Sequence, residues 1–114
     1  MIALFGCGGN RDKIKRSKMG SISEKYCDRI FVTSDNPRNE SLDEIISHII
    51  QGFNNKKHEV IKNRQEAIQC AIKSMKRKSI LFVLGKGREN YQIINGNKIF
   101  FSDIDTVKNN TYAN

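Results

Sequence analysis

The 114-residue sequence contains no apolar run near the roughly 18 residues that a membrane-spanning helix needs. Its first residues, MIALFGCGGN, carry a short apolar run without a basic leader or a cleavage pattern, so they read as a buried strand and not as a signal peptide. No CxxC pair occurs. The odd set Cys7, Cys27 and Cys70 fits a reducing compartment, and a cytoplasmic location is expected. His48, in a helical segment, and His58, in a polar linker, lack ligand spacing with each other or with the cysteines, so no metal site is expected. No Ser-His-Asp or Cys-His set is legible and no paired carboxylates share a motif, so no catalytic residue is assigned. The phosphate-loop pattern G-x-x-x-x-G-K-[ST] is absent throughout. Repeats, low-complexity tracts and linkers are absent too, and residues 1–114 read as one domain.

Acidic residues are in the minority, with 12 against 20 lysines and arginines and a net charge of +8. Such an excess raises the possibility of nucleic acid or an anionic ligand. Tryptophan is missing and proline occurs once, while lysine and asparagine are plentiful, so a compositional bias explains the charge equally well. The basic residues are scattered apart from Lys13, Lys15, Arg16 and Lys18, and nucleic-acid binding is not expected.

What is present alternates. Ile2–Phe5 suits a buried strand, followed by a glycine-rich loop over Gly6–Asp12. A helix is expected from about Lys18 to Cys27, with Met19, Ile22 and Tyr26 on one face. Arg29–Thr33 is β-branched and aromatic and reads as a strand ending in turn chemistry at Ser34–Arg38. From Ser41, the residues Leu42, Ile45, Ile46, Ile49, Ile50 and Phe53 recur at helical spacing, with Ser41 and Glu44 as a capping box and Gly52 at the end. Val60-Ile61 suggests a short strand. Another helix follows Asn63, with Ala67, Ile68, Ala71, Ile72 and Met75 inward. Ser79–Leu84 is continuously apolar, as a central parallel strand would be. Tyr91–Ile94 and Lys98–Phe101, joined through Asn95-Gly96-Asn97, read as a hairpin, and a last helix starts near Ser102. The expected fold is α/β: a mostly parallel sheet with flanking helices and a C-terminal β-hairpin.

In a parallel sheet the loops after the strands meet along one rim, where open α/β sheets bind ligands. Gly6–Asp12, Ser34–Arg38 and Gly85–Asn90 are the loops concerned. The first places Arg11 where the dinucleotide fingerprint needs glycine, so that fingerprint is not met. Its amides suit an anion, and a tight strand-to-helix turn explains the glycines as well. In the second, Arg38 offers a fork for a carboxylate and Asp35 an acceptor for an ammonium, a pairing that suits a zwitterion. A plain helix lead-in accounts equally for the same residues. In GKGREN, Gly85 allows close backbone approach and Glu89 can accept an ammonium, while solvation suffices to explain Lys86 and Arg88.

FGCGGNRDKIKRSKMG, VTSDNPRNES and GKGRENYQII, in this order and spacing, resemble the C-terminal domain of the Mur ligases, and within them the enzymes that add the third stem-peptide residue in peptidoglycan synthesis. The likeness runs from about Ile2 to Asp105. It implies a Rossmann-like domain that is one fragment of a three-domain cytoplasmic enzyme. The other parts would be an N-terminal UDP-sugar-binding domain and a central ATPase domain using ATP and Mg2+, with neither bound by this domain alone. The DNPR form resembles enzymes that take meso-diaminopimelate. By that resemblance Arg38 would grip the distal carboxylate and Arg11, Asp35 and Asn36 would line the pocket. Gly85 and Glu89 would hold the distal ammonium end, and Lys13, Lys15 and Arg16 are possible contacts to nucleotide phosphates. The family commonly has GKGHE where Arg88 stands here, and a proline where Ser17 stands; the first difference leaves L-lysine or another diamino acid as an alternative. An α/β nucleotide- or nucleic-acid-binding module is the competing reading.

Overall fold

The computed structural model describes residues 1–9, 13–54, 58–76, 78–86, 89, 91–94 and 97–111, with the backbone alone at 99. Elements run in the order β1 (Ile2–Phe5), α1 (Ile14–Tyr26), β2 (Arg29–Val32), α2 (Leu42–Ile50), β3 (His58–Val60), α3 (Arg64–Ser74), β4 (Leu81–Val83), β5 (Tyr91–Ile94), β6 (Asn97–Phe100) and α4 (Asp103–Thr111). Strands β1 to β4 form a parallel sheet in the order β3-β2-β1-β4. The hairpin β5–β6 is separate and antiparallel, with Tyr91 opposite Phe100. The α/β expectation holds, and the hairpin's second strand is displaced by one residue from its expected start; the connecting Asn95 and Gly96 lie outside the described residues.

Alternation along the strands sorts side chains to two cores. On one face Phe5, Ile30 and Val32 meet Ile45, Ile46 and Ile49 of α2. On the other, Ile2, Leu4 and Phe31 meet Ala67, Ile68 and Ala71 of α3, with Phe101 and Val107 closing the layer. Each large apolar side chain so buried contributes about 1.5–3 kcal/mol. Helix starts match the sequence: Ser41 accepts from the Glu44 amide at 3.4 Å, and Asn63 from the Glu66 amide at 3.0 Å.

Several expectations need correction. β4 is an edge strand, not a central one, pairing only with β1 among the described residues. The crossover from β3 carries α3 over the far face and sets β4 down outside β1. Its other face is bare, with Phe82 42% and Leu84 44% exposed. Helix α1 starts a turn earlier than expected and buries Arg16 and Gly20 toward α2. Its supposed inner face points outward, Ile22 and Tyr26 being 58% and 60% exposed. With Phe82 and Leu84 these residues line an open apolar groove of about 220 Å³. His58 belongs to β3 and stacks on Phe53, with ring centroids 4.4 Å apart.

Candidate functional site

β1, β2 and β4 run parallel, so the loops leaving them share one rim. Gly9 joins the first loop to the second, donating its amide to Asn36 O at 2.7 Å. A β carbon at Gly9 would lie 1.7 Å from Pro37 O, so only glycine permits this approach. Arg38 has φ 57°, a left-handed backbone uncommon outside glycine and asparagine. That conformation is held from the hairpin: the Arg38 amide donates to Ile93 O at 2.8 Å, and the residue bridges Ile94. Its guanidinium donates to Gly9 O at 3.0 Å and Asn36 O at 3.3 Å.

The hairpin also grips the start of this loop. Gln92, buried, donates to Ser34 Oγ at 3.0 Å and to Asp35 O at 2.8 Å. The Ile93 amide donates to Asn36 Oδ1 at 3.1 Å. Lys86, from the third loop, lies 3.1 Å from Asp35 Oδ1 and donates to Asn36 Oδ1 at 3.1 Å and to Tyr91 O at 2.8 Å. Glu89 stands 3.9 Å from the same ammonium. Gly85 has φ +112°, and a β carbon there would meet Asp35 Oδ2 at 3.2 Å.

A cleft of about 480 Å³ opens beside this junction, lined among others by Gly6, Gly8, Lys15, Asp35 and Gly85. Of the residues expected in the pocket, Asp35 and Gly85 line it directly, and Asn36 and Glu89 join through Lys86. Arg11 and Arg88 lie outside the described residues. A second cleft, about 370 Å³, lies between Pro37, Gln92 and the starts of α2 and α3, and none of the expected site residues among the described ones lines it.

Lys13 and Lys15 are exposed, as phosphate contacts would be, but Arg16 is not: 1% of it is accessible. Its guanidinium donates to both Glu40 oxygens at 2.7 and 2.8 Å, and to Gly8 O at 3.0 Å. An arginine can only donate, so His48 Nδ1, 2.9 Å away, accepts. The bond to Glu40 holds the Arg16 pKa above its ordinary value. As placed, Arg16 ties the glycine loop to the stretch before α2. Cys7, on the cleft wall, has its thiol pKa pushed up to about 11, chiefly by burial, with Asp35 adding and Arg16 opposing. Lys86, which the sequence gives no reason to bury, is the buried centre of the junction, and Gln92 its second anchor. A lysine between glycines signals neither role; only the folded hairpin puts acceptors around it.

Sheet and hairpin together define an α/β domain of the Rossmann-like kind. A family model described as the Mur ligase, glutamate ligase domain matches residues 1–87, and the chain belongs to this family. It is 49% identical over 107 residues to the UDP-N-acetylmuramoyl-L-alanyl-D-glutamate--2,6-diaminopimelate ligase of Helicobacter pylori, a match covering 93% of this chain and 24% of that protein. The ligase of the same name from Rickettsia montanensis is 50% identical over 105 residues, covering 92% of this chain and 22% of its own length. A solved structure of such a ligase superposes with a TM-score of 0.92 at 36% identity, over 98% of this chain and 23% of that one. The chain thus spans about a quarter of the length of the relatives it matches.

Proposed function

We propose that this chain is the amino-acid-binding domain of an ATP-dependent ligase that adds meso-diaminopimelate to UDP-MurNAc-L-Ala-D-Glu. The observation that carries the reading is the meeting of Asp35, Asn36, Gly85 and Glu89 around one junction at the strand ends. Relatives named for 2,6-diaminopimelate support it. In this reading Asp35 and Glu89 receive an ammonium, Asn36 and Arg38 a carboxylate, and Arg11 lines the same pocket. L-Lysine, lacking the distal carboxylate, would leave the Arg38 site without its partner and be rejected. Lys13 and Lys15 are the remaining candidates for nucleotide phosphates.

Further domains of the intact enzyme would bind the UDP-sugar and, with Mg2+, ATP, which this chain has no phosphate loop to hold. ATP would activate the D-glutamate γ-carboxylate as an acyl phosphate. The incoming amine then attacks the acyl carbon and phosphate leaves. This domain's part is to hold that amine in line, which is a positioning contribution.

Titrating the chain with meso-diaminopimelate while recording amide NMR shifts tests the pocket, with L-lysine as control. Shifts at Asn36, Arg38 and Glu89 with the first ligand alone are expected. Shifts of equal size with lysine would overturn the role given to Arg38. Silence with both ligands, repeated as failure of the intact ligase to use either, would overturn the function.

A further inference from the structure

Lys86 has a side chain with no exposure, in the middle of a rim built from three loops. An ammonium has three donors, and three acceptors surround it: Asn36 Oδ1, Tyr91 O and Asp35 Oδ1. The first two are aligned hydrogen bonds. Asp35 Oδ1 sits at ion-pair distance but, although buried, has no aligned donor.

The consequence for Asn36 is specific. Its Oδ1 accepts from the Lys86 ammonium and from the Ile93 amide, each at 3.1 Å. An amide oxygen has two lone pairs, so both are used. The reversed amide would set NH2 against two donors, which settles which way the group is turned. What Asn36 has left to offer a ligand is therefore its Nδ2, a donor. Around Lys86 the charges are equally directed. The carboxylates of Asp35 and Glu89 face one buried ammonium, so Lys86 offsets part of their negative charge.

We propose that Lys86 is a positioning residue that sets the polarity of the amino-acid pocket: it commits Asn36 to donate to the ligand carboxylate and offsets part of the negative charge of Asp35 and Glu89. The inference rests on the proposed reading of the pocket and adds the device that orients the zwitterion within it. Lys86 touches no reacting atom. Its effect is on binding of the amino acid, not on the chemical step.

The test is steady-state kinetics of the intact ligase carrying this domain, with each substrate varied in turn. Lys86→Met removes the ammonium. Asn36→Asp keeps an acceptor for Lys86 and for the Ile93 amide but removes the donor. Each is expected to raise KM for meso-diaminopimelate about 10- to 100-fold, the scale of a lost hydrogen bond to a charged group. KM for ATP and for the UDP-linked dipeptide should stay within about two-fold, a split that general loosening of the fold would not produce. A folded Lys86→Met enzyme with unchanged KM for the amino acid would overturn the inference. Should Lys86→Met fail to fold, Asn36→Asp decides: an unchanged KM overturns the proposal, a selective rise supports it. If the wild-type ligase does not use meso-diaminopimelate, the pocket reading falls and this inference with it. If the wild type uses it and neither variant differs, both Lys86 and Asn36 lose the roles given to them, while Arg38 and Glu89 keep theirs.

Discussion

Arg38 combines an uncommon backbone with a guanidinium that donates to two backbone carbonyls, Gly9 O and Asn36 O. A left-handed non-glycine residue costs on the order of 1–3 kcal/mol and persists where its surroundings over-determine it, here through Ile93 and Ile94. An arginine held this way can exchange a neutral acceptor for a carboxylate, the stronger partner. Arg38→Ala is expected to raise KM for meso-diaminopimelate by about 10- to 100-fold in the intact ligase while KM for ATP stays level, read by steady-state ligation. Cys7 gives a separate expectation. Its thiol pKa lies at about 11 against an ordinary 9.0, so the folded state keeps a proton that the unfolded state releases in between. Stability should therefore fall as pH rises from 9.0 toward about 11, and denaturant midpoints across that window would show it. At pH 8 a thiol reagent should label exposed Cys70 quickly and Cys7 only on unfolding.

At the scale of elements, the rim is stapled from behind. Arg64 opens α3, and its guanidinium donates to both oxygens of Asp103 on α4 at 2.7 Å. It also donates to Ser34 O at 2.8 Å and Leu84 O at 3.0 Å, the carbonyls where β2 and β4 end. A single buried cation thus joins two helices to two loop origins. Breaking such a pair leaves a buried charge uncompensated, so Asp103→Asn should cost about 3–5 kcal/mol in chemical denaturation. The caps are a milder matter. Asn63→Ala should cost about 1 kcal/mol by the same measurement, and Ser41→Ala less, its bond to Glu44 being the longer. These caps, and the apolar faces of α2 and α3, were legible because each depends on residues within one or two turns. The outer face of α1 is not legible in the sequence for the opposite reason: the periodicity of Met19, Ile22 and Tyr26 marks a side of the helix, and what covers that side is a tertiary fact.

At the scale of the whole molecule, several of the basic side chains among the described residues are held in ion pairs. Arg16, Arg64 and Lys86 are buried against Glu40, Asp103 and Asp35, and exposed Arg29 and Lys62 pair with Glu59 and Asp43. Among the described residues, no helix is long and apolar enough to cross a membrane. Lacking a phosphate loop anywhere in its sequence, the purified chain is expected to hydrolyse no ATP, with or without magnesium. A phosphate-release assay checks this, and turnover above the buffer rate would contradict the division of labour proposed for the intact enzyme.

The sequence by itself determined the alternation of strands and helices, the caps, the rim of three loops and the family. All of these follow from local spacing or from short motifs whose residues are neighbours in the chain. It also placed Asp35, Asn36, Gly85 and Glu89 at that rim. The tertiary structure alone decided that β4 is an edge, that Arg16 is interior, and that Lys86 is the buried junction of the site. Each depends on groups distant in sequence, the Lys86 bond to Asn36 spanning 50 residues. Whether a lysine is solvated or central is decided by the acceptors that folding brings to it.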